Sequence, residues 1–270
     1  MPQIAMVNDS RYVTAQYLTA SNLNARIALH QRFSTNAYGW HRWVFDQFRL
    51  PLQCCLVELG GGAGDLWVEN RSRMPTGWAM TVSDVSVGMV AHARQRLSPS
   101  GGALTFAVVD AQALPFATAS MDAVIANHML YHVLDQHSAL VEIQRILKPG
   151  GRLYASTVGQ RHLVEIAALV ERFDARLASW RGPAVFSFTL ENGADLLGPW
   201  FHDVALARYA DGLVVTEAAP LVEYILSGRL QLTPEEEQTF RAFVGQELRR
   251  HGGALAITKD SGLFEAIRPV

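Results

Sequence analysis

The middle of the chain predicts an α/β fold with a mostly parallel sheet and helices on both of its faces. Short apolar runs alternate with amphipathic helical patterns from Pro51 onward, which is typical of βαβ units with right-handed crossovers. A glycine-rich turn, LVELGGGAGDL at residues 56–66, joins the first apolar run to a helix. The chain has 270 residues, 49% of them hydrophobic, and this suits one large α/β domain with additional helical segments.

The predicted strands are short apolar runs bounded by turn residues. They lie at residues 54–59, 79–83, 104–109, 123–126 and 152–156. Helices are predicted between them at 87–97 and 138–147. The second helix ends at the sequence KPGG, because proline and paired glycines stop a helix. These elements make residues 51–160 the predicted ligand-binding core.

Helical segments are predicted to flank this core on both sides. Residues 1–50 are expected to form an N-terminal helical lid, because aromatic and aliphatic side chains recur at helical spacing over 11–50 and Pro51 ends the pattern. Residues 161–270 are expected to belong to the same domain, as a helical insertion on the substrate side with closing strands. The expected elements are helices at 162–180, within 191–201, at 220–226 and at 234–250, a strand at 204–209, and a hairpin or a strand after a turn at 254–258 and 263–268.

The charge and cysteine content argue against several classes of function. Lys and Arg number 23 and Asp and Glu 25, so the formal charge is 23 − 25 = −2, which gives no electrostatic reason to expect nucleic acid. No secretory signal is visible, and no apolar run approaches the ~18 residues of a membrane helix. The adjacent Cys54 and Cys55 are interpreted as reduced strand residues. We therefore expect a cytoplasmic protein with no membrane partner and no bound metal, and a homodimer is compatible with this composition.

The spacing of the glycines narrows the choice of ligand. Gly60, Gly62 and Gly64 form G-x-G-x-G between a predicted strand and a helix. The dinucleotide pattern G-x-G-x-x-G fails because Asp65 follows Gly64, and a phosphate loop would end in Gly-Lys-Ser/Thr instead of Gly-Asp-Leu. Glu58 and Asp65 flank the turn, so the sequence favours a ligand with positive charge and hydroxyl groups over a pyrophosphate.

Five motifs in order resemble those of the class I S-adenosylmethionine-dependent methyltransferases. They are VELGGGAGDLW, TVSDVSVGMVAHAR, VVDAQALPF, MDAVIANHMLYHVLD and LKPGGRLYAST, within residues 50–160. The resemblance implies a Rossmann-like fold and S-adenosyl-L-methionine as the cofactor. It implies little about residues 1–45 or 160–250, where the substrate is usually chosen.

The resemblance also assigns residues to parts of the cofactor. Bare glycines would let its amino-acid part lie against main chain, and Glu58 or Asp65 would receive its ammonium group. Asp84 lies 20 positions after Gly64, about the separation of neighbouring strand ends in a βαβ unit. The resemblance implies that Asp84 accepts hydrogen bonds from both ribose hydroxyls and that Asp110 contacts the adenine. The predicted cofactor-binding residues are Glu58, Gly60, Gly62, Gly64, Asp84, Val85, Met89, Asp110, Ala111 and Asn127. The alternatives are a tightly packed turn at the glycines, a helix cap at Asp84 and a turn residue at Asp110.

Candidate catalytic and substrate residues follow the fourth strand and occupy the predicted lid. His128 is the first candidate for a general base and His132 the second, because imidazole titrates in a useful range. Either histidine could instead be a cap or a satisfied polar group. The segment RFSTNAYGWHRW is expected to contact an apolar, aromatic or polyketide-like small molecule, together with a tyrosine near the candidate bases. Its tryptophans could equally be core residues on a helix face. The predicted substrate residues are Tyr38, Trp40, His41 and Tyr131.

The function predicted from these observations is methyl transfer to an oxygen, nitrogen or carbon nucleophile of a small molecule, in secondary metabolism such as antibiotic biosynthesis. The fourth-strand motif reads NHML and lacks the Asn/Asp-Pro-Pro-aromatic form that resembles amino methyltransferases of DNA bases. Two other classes of function stay open. One is a cofactor-bound enzyme that runs another reaction, such as a cyclisation, and the other is a non-catalytic cofactor-binding module.

Overall fold

The structure, a computed structural model, describes residues 20–97, 103–178, 180, 182–228 and 232–270. A seven-stranded sheet in the order β3-β2-β1-β4-β5-β7-β6 forms its centre. The first five strands pair in parallel, and β7 pairs antiparallel with both β5 and β6. The strands are β1 Cys54–Leu59, β2 Trp78–Asp84, β3 Ala103–Val108, β4 Met121–Asn127, β5 Leu147–Val158, β6 His202–Val215 and β7 Leu255–Ile267.

Helices cover both faces of this sheet, which confirms the predicted fold class. One face packs against α2, α3 and α4, and the opposite face packs against α5 and α7. The described helices are α1 Ala20–Phe33, α2 Trp40–Asp46, α3 Asp65–Asn70, α4 Val87–Leu97, α5 Gln136–Ile146, α6 Val164–Phe173, α7 Gly193–Leu197, α8 Ala218–Leu226 and α9 Pro234–Arg250. Within the described ranges, no helix has both the length and the apolar character needed to cross a membrane.

The central strands are mostly apolar because helices cover both faces of the sheet. Along β1, Leu56 belongs to the core on one face of the sheet, whereas Val57 and Leu59 belong to the core on the other. Val57 pairs with Val124 of β4, which is itself fully buried. Parallel strands covered on both faces have this continuous apolar pattern, and their register brings the carboxyl ends of β1, β2 and β4 to one edge.

The N-terminal helical segment is interrupted. The helix predicted for residues before Ala20 lies outside the described residues. A turn over 34–39 separates α1 from α2. Asp211 of β6 fixes that turn, since its carboxylate accepts hydrogen bonds from Ser34 Oγ at 2.7 Å and from Asn36 N at 3.0 Å. The buried Lys259 of β7 pairs with the same carboxylate. The segment over the sheet is thus tied to its antiparallel edge.

The C-terminal third differs from the sequence prediction in one respect. Residues 254–268 form neither a hairpin nor a strand after a turn, because β7 runs without a break through the sequence KDSG. Asp260 and Ser261 pair with Ala210 and Tyr209 of β6, and Asp260 Oδ1 accepts a hydrogen bond from Arg208 Nη1 at 2.6 Å. Cross-strand partners therefore hold turn-forming residues in an extended conformation.

A second group of helices packs beside the sheet. Leu29 and Phe33 of α1 lie in one apolar core with residues of α6, α8 and α9, including the fully buried Phe240. The predicted helix over 162–180 ends early, at Phe173, and continues as a short 3₁₀ turn. The N-terminal and C-terminal helical segments thus share a core, although the proposed division into lid, core and substrate-side segments stays a prediction.

Candidate active site

A cavity of about 340 Å³ opens at the carboxyl ends of β1, β2 and β4. Open α/β sheets bind ligands at this edge. Nine of the ten predicted cofactor-binding residues line this cavity, together with four of the six predicted catalytic and substrate residues. The lining includes Ile27, Trp40, His41, Glu58, Gly60, Gly61, Gly62, Asp65, Asp84, Val85, Met89, Asp110, Ala111, Gln112, Asn127, His128, Met129, His132 and Leu134.

 Thirteen of the sixteen predicted residues therefore line the cavity. The three that lie outside it are Gly64, Tyr38 and Tyr131.

The glycines of the turn have different roles. Gly62 adopts a φ of 53°, and a Cβ atom built on it would meet nothing within 4 Å, so its bare backbone faces open space in the cavity. A Cβ on Gly60 would lie 2.7 Å from Met129 Cβ, and one on Gly64 would lie 2.7 Å from Leu97 Cδ1 of α4. Gly60 and Gly64 therefore allow close packing, and Gly62 leaves room for a ligand.

Glu58 lies buried beneath this turn at the end of β1. Its Oε2 atom accepts a hydrogen bond from the Trp67 indole Nε1 at 2.6 Å. A Cβ on Gly61 would come within 2.6 Å of the same oxygen, which explains the additional glycine of the motif. Burial raises the pKa of the Glu58 carboxyl to about 8, and the neighbouring carboxylates of Asp84 and Asp65 act in the same direction. A cationic ligand group would favour its ionised form.

Asp65 was the alternative partner for a ligand ammonium group. Its Oδ1 atom accepts a hydrogen bond from Arg96 Nη1 of α4 at 2.6 Å, in an ion pair. The same guanidinium also donates to the Ala63 carbonyl. Because the charge of Asp65 is already balanced, the structure favours Glu58 for the ammonium group.

Asp84 orders the turn and also lines the cavity. Its Oδ2 atom accepts a hydrogen bond from Gly62 N at 3.0 Å, and its Oδ1 atom accepts one from Ser86 N at 2.8 Å. The hydrogen bond from Ser86 N fits the alternative interpretation, in which Asp84 caps the following helix. Each carboxylate oxygen still has a second lone pair for a ligand hydroxyl. Burial raises the pKa of Asp84, and the backbone N–H groups oppose that shift.

Replacing Asp84 with alanine is expected to weaken S-adenosylmethionine binding by about tenfold or more, since hydrogen bonds to a charged group contribute ~1.5–3 kcal/mol. Titration calorimetry would measure the change. Asp174→Ala is the matched control, because Asp174 accepts a backbone hydrogen bond two residues ahead, from Arg176 N at 2.8 Å, and does not line the cavity. Equal affinities for Asp84→Ala and the wild type would contradict the assignment.

Asp110 follows β3 and combines the two roles considered for it. Its Oδ1 atom accepts hydrogen bonds from Gln112 N at 2.9 Å and from Gln112 Nε2 at 3.0 Å, as a turn residue does. The Gln112 Oε1 atom in turn accepts from Asp135 N at 3.0 Å. Asp110, the buried Ala111 and Gln112 all line the cavity, and only Gln112 is absent from the sequence-based prediction.

A small polar network fixes the end of β4. Asn127 Oδ1 accepts hydrogen bonds from Ser156 Oγ at 2.5 Å and from Trp40 Nε1 at 3.3 Å. His128 N donates to Ser156 Oγ at 2.9 Å, and His128 has a φ of 53°, a left-handed conformation that is uncommon outside glycine. Ser156, fully buried on β5, thus positions both residues, although nothing in the local sequence indicates this.

His128 presents a neutral imidazole to the cavity. Its ring lies 4.8 Å from the Trp40 ring, centroid to centroid. Burial lowers the pKa of His128 to about 3, and the positive charges of neighbouring basic groups lower it further. A group with this pKa is neutral at physiological pH, so an ionisation of His128 in the usual histidine range, near 6.5, is not expected in the ligand-free protein.

The remaining predicted residues separate into two groups. Trp40, His41 and His132 line the cavity, and His41 Nδ1 lies 2.8 Å from Glu69 Oε1. Tyr38 lies outside the lining, because its 47%-exposed side chain points away and its hydroxyl donates to Asp46 Oδ2 at 2.6 Å. Tyr131 also lies outside, where it packs against the core below α5 with its ring 4.5 Å from that of His132.

The fold and the site together define an α/β domain in which carboxylates at the strand ends surround a bare glycine turn that faces the cavity. Residues 57–155 match the family described as "Methyltransferase domain". This match runs from β1 to β5 and supports the resemblance to the class I S-adenosylmethionine-dependent methyltransferases. The residues present fit that cofactor, because Gly62 leaves open space in the cavity and the buried Glu58 carboxyl accepts its hydrogen bond from the uncharged Trp67 indole.

Several known proteins are similar to this chain in sequence or in fold. A ubiquinone/menaquinone biosynthesis C-methyltransferase UbiE from Marinomonas sp. (strain MWYL1) is 26% identical over 148 residues, which are 54% of this chain and 59% of that protein. The chain thus spans less than two thirds of the length of this relative. The crystal structure of the 4+2 cyclase SpnF has a TM-score of 0.61 at 19% identity, with 97% of each chain covered. Phosphoethanolamine N-methyltransferase 2 from Haemonchus contortus has a TM-score of 0.57 at 18% identity, with 98% of this chain and 59% of that chain covered. At these identities the two structures show a common fold alone.

Proposed function

We propose that this protein transfers a methyl group from S-adenosylmethionine to an oxygen, nitrogen or carbon nucleophile of a small conjugated molecule, in secondary metabolism. One observation carries the proposal: the cavity that contains Gly62, Glu58 and Asp84 continues without a partition to Trp40 and His128. A cofactor held by the carboxylates and an acceptor held against the indole would therefore meet in one cavity. The name of the similar UbiE protein includes C-methyltransferase, which keeps carbon among the candidate nucleophiles.

The residues of this chain have three tasks in such a reaction. The bound cofactor supplies a methyl group on a positively charged sulfur, which is a good leaving group. Trp40 and Asn127, joined by a hydrogen bond of 3.3 Å, would orient the acceptor and exclude water from the reacting atoms. The neutral imidazole of His128 is positioned to accept a proton from the acceptor where one must be lost, and its lowered pKa of about 3 makes it a weak base in the ligand-free protein.

A labelling experiment tests methyl transfer against the two other classes of function. The purified protein is incubated with S-adenosylmethionine carrying a deuterated methyl group and with a metabolite extract, and the products are separated by mass spectrometry. We expect one product that contains the labelled methyl group, formed more slowly by Asp84→Ala when the cofactor is well below saturation. A product without the label would indicate another reaction such as a cyclisation, and cofactor binding without any product would indicate a binding module.

Replacing His128 with alanine is expected to lower turnover by roughly 10²–10⁴ if His128 is the general base, with little change in cofactor affinity. The base must be neutral, so activity falls as the pH decreases through its pKa. Because burial lowers the pKa of His128 to about 3, we expect the wild-type rate to stay constant through the range in which a free histidine titrates.

The control for this prediction is His202→Ala, because His202 is exposed at the start of β6 and does not line the cavity. Steady-state rates between pH 4 and pH 8 would give the profile of each protein, roughly spanning the usual histidine range. A wild-type profile with a midpoint near that of a free histidine, which disappears in His128→Ala, would contradict the lowered pKa. Unchanged turnover in His128→Ala would show that the residue is structural.

A further inference from the structure

The amino-acid part of the cofactor carries two charged groups, and Glu58 is the proposed partner of only one of them, the ammonium group. The carboxylate on the same carbon needs a cation or several N–H donors. Among the described residues that line the cavity there is no lysine and no arginine. The lining side chains that can become cations are the histidines His41, His128 and His132.

The main-chain N–H groups of the glycine turn are largely used by the turn itself. Gly61 N donates to the Ser83 carbonyl at 2.8 Å, and Gly64 N donates to the Gly61 carbonyl at 2.9 Å. Gly62 N donates to Asp84 Oδ2 at 3.0 Å. Because each N–H group has one hydrogen, these three donors are already engaged in ordering the turn. This favours a side chain from another element as the partner of the ligand carboxylate.

His41 is held against α3, the helix that follows the glycine turn. Its Nδ1 atom lies 2.8 Å from Glu69 Oε1. Its carbonyl accepts a hydrogen bond at 3.0 Å from Nδ2 of the fully buried Asn70, and the same amide group donates to the Leu66 carbonyl at 2.8 Å. Leu66 lies in the first turn of α3 and lines the cavity together with His41. The ring and the backbone of His41 are thus both fixed beside the helix that begins where the glycine turn ends.

The Glu69 carboxylate determines which nitrogen of His41 can serve a ligand. An ionised carboxylate only accepts hydrogen bonds, so Nδ1 is the donor in this pair and Nε2 is the remaining polar atom of the ring. Glu69 does not line the cavity, so its charge compensates an imidazolium ion from outside the ligand space. A ring that carries a hydrogen on both nitrogens can bind one carboxylate through each of them.

The other cationic candidates fit this task less well. His128 follows β4, and burial lowers its pKa to about 3, so its ring is neutral. His132 lies in the 3₁₀ turn beyond β4, with its ring 4.5 Å from that of Tyr131. Arg96 of α4 pairs with Asp65 at 2.6 Å and does not line the cavity. His41 combines a place in the lining, attachment to α3 and a carboxylate at its ring.

We propose that His41, supported by Glu69, binds the carboxylate of the cofactor's amino-acid part, while Glu58 receives the ammonium group. The inference rests on the proposed function and specifies how that same site recognises its cofactor. It moves His41 from the acceptor side, where the sequence placed it, to the cofactor side. A ligand that lacks the carboxylate would then gain nothing from His41.

Two ligands that differ only in the carboxylate test the proposal. S-Adenosylhomocysteine has the full amino-acid part, and its decarboxylated analogue keeps the ammonium group, the sulfur, the ribose and the adenine. Calorimetry at about pH 6, below the ordinary histidine pKa of about 6.5, measures both affinities. We expect the wild type to bind S-adenosylhomocysteine more tightly than the analogue by about tenfold or more, the effect of a hydrogen bond between charged groups.

Variants of the pair should change this preference selectively. His41→Gln should weaken binding of S-adenosylhomocysteine by about tenfold and leave the affinity for the decarboxylated analogue as in the wild type. Glu69→Gln keeps an oxygen for Nδ1 but removes the charge, so it should have the same selective effect by a smaller factor. His202→Gln is the matched control and should change neither affinity, because His202 Nδ1 also lies 2.8 Å from a carboxylate, Oδ2 of Asp203, and His202 does not line the cavity.

The outcomes separate this inference from a change in the fold and from failure of the proposed function. Circular dichroism checks the fold of each variant, and if His41→Gln does not fold, Glu69→Gln decides the question with the same two ligands. Equal weakening of both ligands by the variants, or undiminished affinity for S-adenosylhomocysteine, would overturn the role of His41 even where methyl transfer persists. A wild type that binds neither ligand would instead overturn the proposed function.

Discussion

Replacing Gly62 with valine is expected to abolish measurable binding of S-adenosylmethionine and to leave the protein folded. Gly62 lines the cavity with a φ of 53°, and no atom lies within 4 Å of the position its Cβ would occupy. The valine side chain would therefore extend into the space where the amino-acid part of the cofactor meets main chain. It would also strain the backbone by about 1–2 kcal/mol, because branched residues disfavour this conformation.

The strain can be separated from the obstruction by a control at Gly150. This residue has a φ of 75°, and a Cβ there would also meet nothing within 4 Å, but Gly150 does not line the cavity. Gly150→Val should lose a similar amount of stability and bind the cofactor as the wild type does. Circular dichroism would report the fold and calorimetry the affinity. Native spectra with undiminished affinity in Gly62→Val would show that the turn serves packing alone.

The glycine turn and the strand-end acids could be predicted because their signals are local. Motif spacing places Gly62 and Asp84 at neighbouring strand ends once the fold is parallel, and the hydrogen bond between Gly62 N and Asp84 Oδ2, at 3.0 Å, joins the two positions. Asp110 was predicted in the same way, as an acid just after β3. The direction of each side chain at these points follows from the register of the sheet.

Other parts of the site depend on distant contacts that no short pattern contains. Ser156 lies 29 residues after Asn127 and looks like any small residue of a buried strand. Glu69 reaches His41 across the packing of α3 against α2. Tyr38 shows the opposite error, since its position in an aromatic run predicted a substrate contact, whereas Gly39, with a φ of 89°, changes the chain direction just after it.

Replacing Glu58 with glutamine is expected to stabilise the protein at neutral pH and to weaken cofactor binding. Burial raises the pKa of Glu58 in the folded chain to about 8, above the value of 4.5 for a free carboxyl. Between these values the folded state holds a proton that the unfolded state has lost, so the free energy of unfolding decreases as the pH rises from 4.5 to about 8. Glutamine removes this dependence and can still accept the hydrogen bond from Trp67 Nε1.

The expected gain in the free energy of unfolding is on the order of 1–3 kcal/mol near pH 7 to 8 and close to zero at pH 4. Denaturant titrations at several pH values would measure it. Glu247→Gln provides the contrast, because Glu247 is equally buried but pairs with Arg172 at 2.5 Å and Arg250 at 2.8 Å. Removing that charge leaves two cations without their partner, so Glu247→Gln should destabilise the protein at neutral pH.

Cofactor binding, unlike stability, should be weakened by Glu58→Gln. An ammonium group beside the carboxyl favours its ionised form, so binding to the wild type below about pH 8 should release a proton. Calorimetry in buffers with different ionisation enthalpies would detect that proton, and it should be absent in Glu58→Gln, whose affinity we expect to be lower by about tenfold or more. If Glu58→Gln bound the cofactor as tightly as the wild type, with the same proton release, the ammonium group would have to lie against Asp65 instead. The buried carboxyl would then be a structural acceptor for Trp67, and its cost to stability would have no function in binding.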